Sequence, residues 1–175
     1  RFYSSAILEE AEEYGVTCHI MDDKFDSGPI VGTRKFPISP RSETAVSLER
    51  RSQFEMIKLF RSVLETYQVS DTIESRAQDS SKSAYMNKQQ FDALKGIPEN
   101  SDSETIDRVA RAFFYPPYNL AYVVLSNGQR VEVIPEIAKH ELAELIHRED
   151  FEKLLHAAGL EYVQDNQTDE SKEGK

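Results

Sequence analysis

Two side chains seven positions apart, His19 and Asp26, are the pair in this 175-residue chain best suited to moving a proton. A carboxylate brought beside an imidazole can serve as general acid or base, or can orient a water molecule. The stretch that joins them favours such a meeting. Val16 to Met21 is apolar and β-branched enough to read as a strand, with His19 inside it. Asp22 to Gly28 is polar and carries two turn signals, Asp22-Asp23 and Ser27-Gly28. Strand character returns over Pro29 to Ile38, with an irregularity expected near Gly32. A loop that leaves one strand and re-enters the next through Gly28-Pro29 folds back on itself and carries Asp26 toward His19. Spacing alone leaves a bland alternative open. Strand histidines are more often structural, and an aspartate before Ser-Gly more often serves the turn.

Other elements must hold this loop in place. Phe2 to Tyr14 has helical spacing through Ile7, Ala11 and Tyr14, with Gly15 as its stop. Ser42 to Tyr67 is the strongest helix. Ser42 or Thr44 is its cap, and Leu48, Phe54, Ile57, Leu59, Phe60, Val63 and Leu64 form a broad apolar stripe. Ser70 to Ser83, rich in Ser, Asp and Gln, reads as a linker. Beyond it, Asn87 to Leu94 and Ser103 to Ala112 read as short helices, the second capped by Ser103. Leu120 to Leu125 and Gln129 to Ile134 flank Ser126-Asn127-Gly128, a hairpin signal, and Pro135 ends the sheet. Glu136 to Ile146 and Arg148 to Ala157 read as two amphipathic helices, an apolar stripe for core or docking.

Composition narrows the function classes. The chain is 39% hydrophobic and 30% charged, enough for a packed core. Its net charge of −10 repels phosphate backbones and argues against nucleic acid as a partner. No apolar run approaches the length of a membrane span. One cysteine, Cys18, excludes an internal disulfide framework and a zinc cluster, so no metal is expected and a reducing, cytoplasmic setting is the simple reading.

The run Gly15, Val16, Thr17, His19, Asp26, Ser27, Gly28, Pro29, Ile30, continued by Phe36-Pro37-Ile38 and a helix with Thr44 and Leu48, resembles the strand–loop–strand of the formyltransferase family. That family includes glycinamide ribonucleotide, methionyl-tRNA and sugar N-formyltransferases and formyltetrahydrofolate deformylase. The likeness covers about Ala6 to Tyr67. It implies an α/β fold, the C-terminal part of a Rossmann-like core followed by a small α+β module. It also implies 10-formyltetrahydrofolate as co-substrate and a small-molecule amine as acceptor. By the same likeness Asp26 is the catalytic acid/base and His19 its supporting residue, while Asp22, Asp23, Lys24, Phe25 and Gly28 belong to the folate loop. Ile106 to Phe114 and Pro116-Pro117-Tyr118 are similar to the module appended to several members. There Arg108, Arg111 and Tyr118 are candidates for acceptor binding, against the bland reading of solvated arginines and a tyrosine covering a small core.

The resemblance divides the chain into residues 1–69 as catalytic-core portion, 70–84 as linker, 85–160 as module with a hairpin over 120–134, and 161–175 as a disordered tail. The family's upstream Asn-x-His motif has no counterpart here, and the chain starts at Arg1, so a C-terminal fragment of a longer enzyme is expected. An amino sugar is preferred over initiator tRNA as acceptor, because the module carries Glu132, Glu136, Glu141, Glu144, Glu149 and Glu152. The competing readings are a methionyl-tRNA formyltransferase, a hydrolase that releases formate from the same cofactor, and a truncated, non-catalytic interaction module.

Overall fold

Tyr14, Val16 and Cys18 turn to one side of an extended segment while Gly15 and Thr17 face the other, the period-two pattern of a half-buried strand. In a computed structural model, which describes residues 2–23, 26–79 and 86–138, this segment is β1 (Glu13–His19). The helix before it, α1 (Phe2–Leu8), is therefore shorter than the spacing predicts. It ends in a Schellman arrangement. Glu10 takes a left-handed φ of 52°, its N–H reaches the Ile7 carbonyl, and the Ala11 N–H reaches that of Ala6. Glu10 does the stopping assigned to Gly15, which lies inside the strand.

β1 pairs antiparallel with β2 (Ile30–Pro37), Tyr14 opposite Phe36 and Thr17 opposite Thr33. Cys18 faces Gly32 and His19 faces Ile30, so Val31 is the extra residue of a bulge, the irregularity expected near Gly32. Thr44 then caps α2 (Ala45–Ser70) through a capping box with Ser47, and Asp71 closes it in the left-handed region with φ 54°. The apolar stripe of α2 is only half used. Leu48 and Leu59 are buried, whereas Phe54, Ile57, Phe60 and Leu64 remain exposed among the described residues.

The stretch read as a linker pairs with the hairpin. The Arg76 and Ile30 backbones exchange two hydrogen bonds of 2.9 and 2.7 Å, which adds a bridge to the edge of β2. After it come α3 (Lys88–Ala93), capped by Asn87, then β3 (Gly96–Ile97) and α4 (Ser103–Ala112). The cap of α4 is Asp102, not Ser103: its carboxylate accepts from the Thr105 N–H at 2.7 Å. β4 (Ala121–Val124) and β5 (Arg130–Val133) form the expected hairpin, with Gly128 at φ 81° in its turn. β3, too short to show a pattern, joins β4 in parallel.

Residues up to Ala138 make one compact unit. Its core runs through both halves: Ile7, Val16, Phe36 and Leu48 are continuous with Ile97, Ala112, Phe113 and Ala121. The helices expected over Glu136 to Ile146 and Arg148 to Ala157 lie, past Ala138, outside the described residues, as does the tail. None of the helices among the described residues is long and apolar enough to cross a membrane.

Candidate functional site

The loop after β1 is built to hold one carboxylate beside one imidazole. It is closed at its neck by a hydrogen bond of 3.0 Å from the Ile20 N–H to the Pro29 carbonyl. At its waist the Ser27 hydroxyl donates to the Asp22 carboxylate, 2.8 and 2.9 Å from its two oxygens. Gly28 is buried against the opposite limb. A Cβ there would fall 1.7 Å from the Ile20 carbonyl oxygen, so the two limbs approach this closely only with glycine. Asp26 sits at the crest with φ 52°, a left-handed conformation that aspartate tolerates better than most residues.

A third segment clamps the crest. The Gln78 side-chain amide donates to the Asp26 carbonyl at 2.8 Å and to the Gly28 carbonyl at 2.7 Å. The Arg76–Ile30 backbone pair anchors Gln78 two residues away. These backbone restraints fix where the Asp26 side chain starts, and leave its carboxylate free of the fold.

The His19 Nε2 and Asp26 Oδ1 atoms are 3.9 Å apart. That is longer than a direct hydrogen bond but within ion-pair range when the imidazole is protonated. The two groups are differently sheltered: the His19 side chain is 29% exposed and the Asp26 side chain 93%. The arrangement presents an anionic proton acceptor to whatever docks on the loop, with a half-buried ring behind it.

Of the other residues singled out by sequence, Asp22, Asp23 and Gly28 lie in this loop, and Lys24 and Phe25 fall outside the described residues. Arg108, Arg111 and Tyr118 are not brought to it. They lie near the opposite end of the β1–β2 hairpin, where Pro40 and Glu43 follow β2. Arg111 is 4% exposed; it bonds the Asp107 carboxylate at 2.6 Å, and one of its nitrogens donates to the Pro40 and Glu43 carbonyls at 2.5 and 3.1 Å. Its guanidinium ties α4 to the start of α2. Arg108 pairs with Glu10 at 3.0 Å, joining α4 to the turn after α1. Tyr118 is exposed, with its ring 5.6 Å from that of Tyr115.

Sequence reasoning missed Gln78 and Arg76. They reach the loop across fifty residues, and no local pattern marks a polar segment as a clamp. It also missed Glu43, which is buried and receives Arg51 and the Ser47 hydroxyl, the latter at 2.7 Å. Among the described residues, no group of three His, Cys, Asp or Glu side chains is placed to hold a metal ion.

An antiparallel hairpin with a carboxylate-bearing loop at its tip, backed by a long capped helix, defines a mixed α/β unit. Residues 1–64 match the family model described as formyl transferase. Solved structures, N-formyltransferases among them, share the fold. A 4-N formyltransferase from Francisella tularensis superposes with a TM-score of 0.63 at 19% identity, over 77% of this chain and 55% of that one. The N-formyltransferase from Helicobacter canadensis, solved with folinic acid and dTDP-3-aminofucose, gives 0.57 at 26% identity, over 71% and 45%. HypX from Aquifex aeolicus, in complex with tetrahydrofolic acid, gives 0.59 at 22% identity, over 75% and 22%. The chain spans about half the length of the first of these. No curated protein sequence matches it.

Proposed function

We propose that this chain supplies the aspartate side of a formyl-transfer site, working as part of a longer enzyme that moves the formyl group of 10-formyltetrahydrofolate to a primary amine. The observation that carries this reading is the 3.9 Å approach of His19 and Asp26 on a loop locked by Gly28, Ser27 and Gln78. The folate derivatives bound by the Helicobacter canadensis and Aquifex aeolicus structures support a folate co-substrate here. Asp22, Asp23, Lys24, Phe25 and Gly28 would line its approach.

The chemistry follows from charge. The amine nitrogen attacks the formyl carbon, and as the new C–N bond forms that nitrogen becomes cationic. The exposed Asp26 carboxylate stabilises the growing positive charge and accepts the proton. The tetrahedral intermediate then breaks its bond to the folate nitrogen, which takes up a proton as it leaves. His19 positions the carboxylate. The donors that polarise the formyl oxygen belong, in this reading, to the rest of the enzyme.

For the acceptor we favour an amino sugar. The acidic residues Glu132, within β5, and Glu136, just after it, disfavour tRNA, and dTDP-3-aminofucose is the ligand of one structural neighbour. Replacing Asp26 by Asn in the complete enzyme should lower formyl transfer by about 10²- to 10⁴-fold with folding unchanged. Turnover within a few-fold of the unmodified enzyme would refute the role. Formate release in the absence of any amine would instead favour hydrolysis, with water in the place of the acceptor.

A further inference from the structure

The sheet of β3, β4 and β5 ends in a hairpin that carries a reactive pair of its own. Asn127 and Gly128 sit at its tip, both exposed, and Asn127 is the only asparagine in the chain that a glycine follows. The turn spans Ser126, Asn127 and Gly128. The Gly128 N–H donates to the Leu125 carbonyl at 2.8 Å, and Gly128 takes a φ of 81°. The Leu125 N–H then donates to the Gln129 carbonyl at 2.8 Å and closes the neck, as in hairpins with a left-handed last loop residue.

The Asn127 side chain is folded back over this turn. Its Oδ1 accepts from the Gln129 N–H at 2.9 Å. The ring closed by that bond runs through the Gly128 nitrogen, so the Asn127 Cγ is carried toward the backbone nitrogen best placed to attack it. The same N–H polarises the side-chain carbonyl and steadies negative charge that develops on its oxygen. Glycine puts no bulk beside the nucleophile: a Cβ at Gly128 would meet nothing within 4 Å. One restraint works against the reaction. The Gly128 N–H must leave the Leu125 carbonyl before it can lose its proton. At an exposed hairpin tip such local opening needs far less than global unfolding.

We infer that Asn127 is a site of spontaneous modification, which converts it through a cyclic imide to isoaspartate and unlocks the β4–β5 hairpin. The Gly128 nitrogen gives its proton to solvent base and bonds to the Asn127 Cγ. The side-chain nitrogen takes up a proton and departs as ammonia. Water then opens the imide. Opening at the Asn127 main-chain carbonyl routes the chain through the side chain, which is isoaspartate; opening at Cγ gives aspartate. One water enters and one ammonia leaves, with no change of oxidation state. Isoaspartate lengthens the main chain by a methylene. The turn cannot absorb it, because the register that sets Val124 opposite Arg130 and joins Leu125 to Gln129 depends on that spacing. β5 is an edge strand, paired only with β4 among the described residues. The inference goes beyond formyl transfer and does not depend on it, since no residue of the His19–Asp26 loop takes part.

Incubation of the full chain in mildly alkaline buffer, followed by tryptic mapping with electron-transfer fragmentation, tests it. Asn127 should convert before Asn100, which precedes Ser101, and before Asn119, which precedes Leu120, with isoaspartate the larger product. In the converted fraction, loss of the Leu125–Gln129 hydrogen bond should quicken amide exchange at Leu125 by roughly fivefold to tenfold. Freshly purified Asn127→Asp separates charge from backbone. It carries the added charge through an ordinary peptide bond, keeps an acceptor for the Gln129 N–H, and should exchange as the unmodified chain does. Conversion of Asn127 no faster than that of Asn100 overturns the site, as does conversion to aspartate without isoaspartate. Exchange at Leu125 that is unchanged in the isoaspartate form, or equally fast in Asn127→Asp, overturns the unlocking by the lengthened backbone.

Discussion

Asp26 and Arg111 are both charged and both caught by sequence reading, yet the fold treats them in opposite ways. The Asp26 backbone is clamped while its carboxylate is 93% exposed. The Arg111 guanidinium is 4% exposed and shares its protons among a carboxylate and two carbonyls. A buried charge persists only where partners replace its water, so its bonding capacity is already committed to the structure. An exposed charge on a rigid backbone keeps its capacity for a ligand, and its position is supplied at no cost to its chemistry. Burial and bonding, more than residue type, separate a tie from a candidate reactive group.

The contrast breaks if the two residues behave alike on substitution. Asp26→Asn should leave thermal stability nearly unchanged and remove about 3–5 kcal/mol of transition-state stabilisation in the complete enzyme, read from kcat/KM. Arg111→Met should do the reverse. It leaves the Pro40 and Glu43 carbonyls short of a donor and should cost about 3 kcal/mol in denaturant unfolding, with kcat per folded molecule retained. A stable Arg111→Met protein that has lost activity would move Arg111 into the site.

Gln78→Ala sharpens the comparison, because it loosens the clamp without touching the carboxylate. Its global cost should be about 1 kcal/mol. Amide exchange should quicken at Ile20 and Ile30, whose N–H groups close the neck of the loop and the Arg76 bridge. Unchanged exchange at both would show that the loop holds itself.

The smallest effect appears only at alkaline pH. Burial, with a contribution from Tyr3, pushes the Tyr14 phenol from its ordinary 10.0 up to about 12. Below pH 10 both folded and unfolded chains keep the proton, and the contribution of Tyr14 is whole. Between pH 10 and 12 the unfolded chain ionises while the folded one resists, so stability falls as pH rises. Tyr14→Phe should flatten part of that decline in melting temperature. Tyr115, raised to about 12 chiefly by its hydrogen bond to Glu49, should keep the remainder. An identical slope in the variant would show that Tyr14 is not buried as described.

Local signals were legible in the sequence wherever local physics decides. Thr44 before an apolar run is a cap because its hydroxyl meets an N–H three residues on. Asn127-Gly128 makes a hairpin because Gly128 takes a positive φ without a Cβ to object. His19, Asp26, Ser27 and Gly28 declared a loop that returns on itself, and the family-model match covers that stretch. Where two periodicities compete, the local reading failed: Ala11 and Tyr14 fit a helix, but Tyr14 also alternates with Val16 and Cys18, and pairing with Phe36 settled the matter for the strand.

The sequence alone thus determined α2 with its cap, the β4–β5 hairpin with its turn, and the candidate pair, all of them consequences of neighbours within a few residues. Tertiary structure alone decided that the supposed linker braces the crest through Gln78, that Arg111 faces inward, and that Tyr3, Phe91, Phe113, Tyr115 and Tyr118 gather around one cleft. Each of those depends on groups dozens of residues apart. Whether a polar side chain ends in solvent or against a distant carbonyl is set by the packing of the core, which no short pattern encodes.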